Sequence, residues 1–296
     1  MSMDVGAFEI FEPIPKKREV HAVAMLRPWL DAGNVGTLVL SSLEQHLEAK
    51  EVGQLKKPGT FFDFTRYRPQ TRNIEGRRIL TLPNSKISYA QRENSPDLLL
   101  LHLLEPHAFA EEYIESVIEI VKTFEVKRYC RIGAMYNAVP HTRPLRITGT
   151  LDGQPLKGIS GVTSFGRGSY QGPTSAMNLV SDAIEKLNIE SMSLMVHLPQ
   201  YLELEEDYLG VSRVMAVLGA MYGLPSELSE SEQGERQYRE LNSEVERNPA
   251  VKAMVRRLEA FYDARESSKE EEKQEPLLSP EVQRFLQEMG QQFDNS

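Results

Sequence analysis

The sequence has almost no cysteine, no long apolar run and no excess of basic residues, and each absence excludes a class of protein. Cys130 is the only cysteine in 296 residues, which excludes a disulfide framework and a cysteine-rich metal site. The longest apolar stretch, 98–104, is far shorter than the roughly 20 residues that span a bilayer. No basic region followed by an apolar stretch comes after Met1, so we expect no export signal and a cytoplasmic protein.

The charge balance is acidic and uneven along the chain. There are 34 Lys and Arg against 43 Asp and Glu, a net charge of −9. Residues 227–296 hold 17 acids and 10 bases, a net of −7, which leaves −2 for residues 1–226. Binding to a phosphate backbone requires a basic surface, so we predict no nucleic-acid partner. A protein bound by the acidic C-terminal part should present a basic surface to it.

The remaining composition is that of a globular protein, and its pattern predicts the fold class. The apolar run at 98–104 is typical of a strand covered on both faces. Residues 107–124 have the 3.6-residue period of an amphipathic helix. Asp152 and Gly153 favour a tight hairpin turn. Strands and helices alternate along the body, which predicts a three-layer α/β/α fold with a largely parallel, mixed sheet and a C-terminal helical appendage.

We divide the chain into an N-terminal segment (1–19), an α/β body (20–226) and a C-terminal helical region (227–296). The first 18 residues should be irregular, because Pro13 and Pro15 interrupt regular structure. Further strands are expected at 61–65 and 78–82. In the C-terminal region, Pro249 should separate two charged helices, and a charged linker at 267–278 should precede a last amphipathic helix.

Several short motifs resemble those of the proteasome-assembly-chaperone family, in the branch named for the second such chaperone. They lie in the same order over roughly residues 20–225. The most specific is Pro140-His-Thr-Arg-Pro144, since two prolines, a histidine and an arginine rarely coincide. The matching segments are 29–33, 62–64, 68–69, 104–106, 133–134, 139–144, 170–173 and 198–202.

The resemblance implies a nucleoside-phosphorylase-like fold, and it implies self-association, for which a homotrimer is our specific expectation. Many members of the family have no assigned activity. This sequence departs from the family at Gln200, where His is usual, and at Ser175, where a third Gly is usual. Proteasome-activating members end in a hydrophobic–Tyr–any-residue tail, whereas this chain ends Phe293-Asp-Asn-Ser296. We therefore do not expect its C-terminus to dock into a proteasome ring.

Polar residues that come after predicted strands are the candidates for a binding cleft, because ligands of open α/β sheets bind beyond the carboxyl ends of the strands. They are Asp31, Glu105, His141, Arg143 and, from the matching segment 170–173, Tyr170. Two interpretations stay open for them. They line one concavity that binds a small molecule, or they cap helices and brace a rigid loop. We assign none of them a catalytic role.

An arginine cluster surrounds a predicted turn at 73–76 and includes Arg66, Arg68 and Arg72. Arginine suits phosphate and carboxylate ligands, so these three are possible anion contacts; the alternative is a solvated hairpin. The six histidines show no ligand spacing, so we predict no metal, and no motif calls for a cofactor. The glycine-rich loop 166–172 fits the dinucleotide fingerprint poorly.

Two hypotheses about function are consistent with the sequence. In the first, the protein is a non-enzymatic assembly-chaperone-like or scaffold protein, which binds itself and, through its C-terminal helices, a protein partner. In the second, the phosphorylase-like body keeps a cleft for a nucleoside- or phosphate-type molecule and acts as a binding protein, hydrolase or transferase. We prefer the first, because no phosphate loop or ribose pocket can be assigned.

Overall fold

The structure is a computed structural model, which describes residues 2–13, 18–74, 76–159, 161–163 and 174–267. No helix within these ranges is long and apolar enough to cross a membrane. The helices are α1 (Val35–His46), α2 (Ala110–Thr123), α3 (Ala176–Glu185), α4 (Tyr208–Tyr222), α5 (Glu232–Arg247) and α6 (Pro249–Ser267). The strands are β1 (Ser2–Val5), β2 (Phe8–Phe11), β3 (Val20–Arg27), β4 (Lys50–Leu55), β5 (Gln70–Ile74), β6 (Arg77–Thr81), β7 (Lys86–Ala90), β8 (Asp97–Leu104), β9 (Val126–Asn137), β10 (Ile147–Leu151), β11 (Gln154–Pro155), β12 (Val162–Thr163) and β13 (Glu190–Pro199).

One mixed sheet forms the middle layer, in the order β1-β2-β4-β7-β8-β3-β9-β13-β10-β11, and β12 pairs with β10. The four central strands β8, β3, β9 and β13 are parallel to their neighbours within this group. Strands β1, β2, β4 and β7 extend the sheet beyond β8, and each is antiparallel to its neighbours. The predicted α/β fold is therefore confirmed, and the four parallel strands lie at the centre of the sheet.

Strand β8 occupies the central position that its apolar sequence predicts. It lies between β7 and β3, and alternate residues enter two different cores. Leu99, Leu101 and Leu103 belong to one apolar cluster, whereas Leu98 and Leu100 belong to the other. A strand that is buried on both faces is apolar at almost every position. The exceptions in β8 are half-buried His102 and buried Asp97, whose carboxylate accepts hydrogen bonds from the Tyr89 hydroxyl and the Arg92 N–H.

Helices cover both faces of the sheet and complete three layers. Helices α2 and α3 pack on one face. On the other face, α1 and α4 cover the sheet, α5 packs on α4, and α6 packs on α5.

The hairpin predicted at Asp152 and Gly153 is present between β10 and β11, and both residues have the positive φ that this turn requires. The two C-terminal helices meet at Asn248 and Pro249, as predicted.

The interpretation of the first 18 residues as irregular is wrong. Strands β1 and β2 form a hairpin at the edge of the main sheet, where Phe8 and Ile10 are buried. The two prolines used in that interpretation come after β2 in sequence and so do not interrupt it. Gly6 makes the hairpin turn with φ of 54°, and a Cβ there would lie 2.7 Å from Ser116 Oγ. Each of these two strands has only four residues, so the alternation of apolar and polar residues along them is too short to predict strands close to two prolines.

The strand expected at 61–65 is also wrong. A short 3₁₀ turn at Pro58–Thr60 precedes this segment, and Phe61 and Phe62 turn inward to pack on the ring of Tyr113, with centroids 5.4 and 6.1 Å apart. Three further strands of the main sheet, β4, β7 and β12, were not predicted. The expected linker and last helix, and Tyr170, lie outside the described residues.

Candidate functional site

The central parallel strands all end at one edge of the sheet, which we call the carboxyl edge. Its strands end at Arg27, Leu104, Asn137 and Pro199. Parallel strands place the loops at their carboxyl ends in the same region, and this is where open α/β sheets bind ligands. The candidate residues Asp31, Glu105, His141 and Arg143 all come after strands of this edge in the chain.

Asp31 holds the start of α1. Its Oδ1 accepts hydrogen bonds from the backbone N–H groups of Gly36 (2.6 Å) and Thr37 (3.2 Å), and its Oδ2 accepts one from Thr37 Oγ1 (2.6 Å). The loop reaches this position because Leu30 O lies over Gly133, where a Cβ would be only 2.5 Å away. Burial raises the pKa of Asp31, and the hydrogen bonds from Thr37 and Gly36 oppose that shift. Although Asn34 stands at the N-cap position of α1, the Asp31 carboxylate supplies the acceptor that an N-cap side chain usually provides to first-turn N–H groups.

His141 is buried between a loop and a C-terminal helix. The hydroxyl oxygen of Tyr201 accepts the backbone N–H of His141 at 2.8 Å and lies 2.7 Å from its Nδ1. The ring's Nε2 lies 3.1 Å from Asn242 Oδ1 of α5. Because the amide oxygen only accepts, Nε2 carries the proton in the neutral ring and the Tyr201 hydroxyl donates to Nδ1. Burial lowers the pKa of His141. Both ring nitrogens are engaged, Nε2 with α5 and Nδ1 with the loop after β13.

Arg143 binds α6 through a forked pair of hydrogen bonds. Its Nε and Nη2 donate to the two carboxylate oxygens of Asp263, at 2.9 and 2.8 Å, and Nη1 lies 3.3 Å from Glu259 Oε1. The Thr142 hydroxyl donates to the same Glu259 oxygen at 2.5 Å. The hydrogen bond from Arg143 lowers the pKa of Asp263. The segment Pro140–Pro144 thus fastens the C-terminal helices to the body.

Glu105 is different, because it lines an open cavity of about 860 Å³. Its backbone is fixed by an N–H bond to Arg27 O and by the Tyr67 hydroxyl, which donates to Glu105 O at 3.1 Å. Its carboxyl group is half-buried, and burial raises its pKa. Of the candidate residues in the described ranges, Glu105 and Arg66 line this cavity, whereas Asp31, His141 and Arg143 do not.

Other residues of the cavity were missed in the sequence. The Asp63 backbone N–H donates to His107 Nδ1 at 3.1 Å, which leaves Nε2 as the protonated nitrogen of the neutral ring. The rings of His107 and Tyr67 lie 4.5 Å apart, and Phe62 packs on Tyr67. The signal was the group of aromatic residues at 61–67, of which we interpreted 61–65 as a strand.

The three arginines proposed as anion contacts do not form one site. Arg66 lines the cavity, Arg72 lies in β5, and Arg68 is exposed on the chain between them. Strands β5 and β6 form a separate two-stranded hairpin, and every residue of the two strands is exposed. Across the described ranges, no group of three or more His, Cys, Asp or Glu is arranged to hold a metal ion.

Asp207 is a buried carboxylate that no sequence motif singled out. It caps α4 by accepting the Gly210 N–H at 2.7 Å, and its Oδ2 accepts the hydroxyl hydrogen of Tyr238 in α5 at 2.7 Å. Burial raises its pKa. Its position as the N-cap of α4 and its contact with α5, 31 residues away in sequence, distinguish Asp207 from the other acids of segment 203–207.

Comparison with known proteins agrees with this architecture. The sequence model described as the PAC2 family matches residues 25–246. A Corynebacterium glutamicum protein of unknown function is 18% identical with a TM-score of 0.77, over 89% of this chain and 99% of that one. A Mycobacterium tuberculosis proteasome-assembly chaperone homologue is 21% identical with a TM-score of 0.66, over 80% and 99%. A Pyrococcus furiosus archaeal proteasome activator is 16% identical with a TM-score of 0.63, over 81% and 98%. No curated protein matches the sequence.

Proposed function

Because this chain belongs to the PAC2 family, we propose that it is a non-enzymatic, assembly-chaperone-like scaffold protein that self-associates and binds protein partners. The main observation behind the proposal is that the polar side chains that follow the strands of the carboxyl edge form hydrogen bonds that hold helices in place. Asp31 caps α1, and His141 and Arg143 hold α5 and α6. A catalytic acid or base needs an atom directed at its substrate, whereas these atoms are engaged in holding helices.

Exposed apolar side chains at the same edge support a protein partner. Trp29 is 45% exposed, Met135 39% and Tyr136 38%. Leu30 O accepts the Ala134 N–H at 2.8 Å, so Trp29 lies in a loop that contacts the strand carrying the other two. Trp and Tyr are enriched among the residues that dominate binding energy in protein interfaces. Residues 227–296 offer a second, acidic contact region, for which a basic partner is expected.

An activity assay tests the non-enzymatic part of this proposal. The protein is incubated with a panel of nucleosides and inorganic phosphate, and free base is measured by chromatography beside a known nucleoside phosphorylase. We expect no release above the protein-free rate. Phosphate-dependent release in proportion to protein concentration would overturn the proposal.

A specific observation favours a second candidate function, the binding of a nucleoside- or phosphate-type molecule. The cavity at Glu105 combines a half-buried carboxyl group with Arg66 and His107, which together offer an acceptor and donors. A ligand stabilises the folded state that it binds, by about 2.7 kcal/mol at a hundred times its dissociation constant. Thermal shifts with nucleosides and with inorganic phosphate test this function. A shift that Glu105→Gln or Arg66→Gln removes supports it, and no shift with any compound contradicts it.

A further inference from the structure

Strands β5 and β6 form a hairpin, here called the arm, that stands apart from the main sheet. All ten residues of its two strands are exposed. Three of them are large and apolar, and a fourth apolar residue comes after β6. They are Ile74 (51% exposed), Ile79 (44%), Leu80 (59%) and Leu82 (42%). An isolated two-stranded hairpin is marginally stable in water, so the arm needs a surface that covers it.

The register of the arm gives one of its faces a mixed apolar and basic character. Arg72 lies opposite Ile79, and Ile74 lies opposite Arg77. Directly opposed residues point to the same side of a sheet, so these four side chains share a face. Among the described residues, neither Arg72 nor Arg77 has a carboxylate within ion-pair distance. A complementary surface would offer acidic groups next to apolar ones.

Helix α2 offers such a surface on its outer side. Glu111, Glu112, Glu115 and Glu119 are exposed there, and the pairs Glu111–Glu115 and Glu115–Glu119 are like charges four residues apart, which is unfavourable in a helix. None of the four has an ion-pair partner in the described part of the chain. Phe109, 61% exposed, lies at the start of this face.

We infer that the arm of one copy lies across the outer face of α2 of a second copy. Within one chain the arm and the α2 face are both exposed, so the chain does not satisfy this pairing itself. A second copy of the chain fits as the partner because the two surfaces are complementary. One carries arginines and isoleucines, and the other carries glutamates and a phenylalanine. The inference rests on the proposed self-association and assigns surfaces to it. The two surfaces differ, so each copy donates one arm and receives another; repetition of such a contact gives a ring when the rotation between copies closes and an open filament when it does not.

Sedimentation equilibrium of the full chain with charge-reversal variants tests this contact. Arg72→Glu with Arg77→Glu, or Glu115→Lys with Glu119→Lys, should each weaken association at least tenfold. Combining all four changes re-creates opposite charges and should restore the constant to within threefold of the original. The control Glu93→Lys, an exposed position in the loop between β7 and β8, should leave association unchanged. All five positions are exposed, and circular dichroism confirms that each variant is folded.

The outcomes separate this inference from the proposal on which it rests. An oligomeric wild-type protein whose association is unaffected by the arm variant overturns the contact and leaves self-association standing. Weakening by both double variants without restoration in the combined variant rejects α2 as the surface that receives the arm. A monomeric wild-type chain overturns self-association, and the arm contact with it.

Discussion

The hydroxyl group of Tyr238 in α5 donates a hydrogen bond to Oδ2 of Asp207 at the start of α4, over 2.7 Å. Both residues are buried, and Gly210 N–H occupies the other carboxylate oxygen. This buried hydrogen bond therefore joins α5 to the α/β body. Tyr238 belongs to the same apolar cluster as the residues of α1, α4 and the sheet face on which they pack.

Replacing Tyr238 by Phe should destabilise the protein, because Asp207 would keep its burial and lose a donor. We expect the free energy of unfolding in urea to fall by about 1–3 kcal/mol at pH 7. The control is Tyr208→Phe, whose hydroxyl donates to Glu206 near the surface, with an expected change below about 0.5 kcal/mol. Equal effects of the two substitutions would contradict the role of the buried pair.

His141 should make stability depend on pH. Its folded pKa is lowered by burial, against the opposing effects of Asn242, Glu259 and Glu246. The unfolded chain therefore binds more protons than the folded one between the folded pKa and about 6.5. The contribution of His141 is complete above that window and is lost as the pH falls through it. Urea unfolding at pH 7.5 and 5.5 should show a smaller loss for His141→Gln than for the wild type. A loss of the same size in both proteins would count against a neutral, buried His141.

The sequence predicted the elements with strong periodic patterns. It also predicted one concavity lined by the candidate residues, whereas, among those that the structure describes, only Glu105 and Arg66 line the cavity at the carboxyl edge. Strand β8 and helix α2 were recognisable because nearly every position of β8 and one whole face of α2 is apolar. The partners of His141 and Arg143 were not recognisable. Asn242 and Asp263 lie 101 and 120 residues further along the chain, in helices whose packing no local pattern specifies. Those contacts decide whether His141 and Arg143 line a binding cleft or hold the surrounding helices and loop in place.

Asp31 should act as a helix cap rather than as a binding group. In Asp31→Ala the N–H groups of Gly36 and Thr37 lose their acceptor, so we expect a loss of about 1–3 kcal/mol in the free energy of unfolding. The control is Ser41→Ala on the exposed side of α1, where Ser41 Oγ donates to Thr37 O, with a change below about 0.5 kcal/mol. An unchanged stability of Asp31→Ala would refute the cap.

Glu105 should cost stability when it is ionised. Burial raises its folded pKa above the usual 4.5, so the folded state binds more protons than the unfolded state in that window. Stability then falls as the pH rises through the folded pKa. Relative to wild type, Glu105→Gln should be more stable at pH 7 than at pH 4, by less than about 1 kcal/mol since the group is partly solvated. The exposed Glu185→Gln should show no such difference between the two pH values. An effect of opposite sign would mean that the Glu105 carboxylate is stabilised in the folded protein.

The most direct test of an assembled scaffold is the molar mass of the full chain in solution, measured by light scattering over a range of concentrations. One chain has a mass of 33.6 kDa. We predict a mass that rises with concentration and levels off at a whole multiple of this value, with three copies as the specific expectation. A mass of one chain at every concentration would contradict the proposed self-associating scaffold.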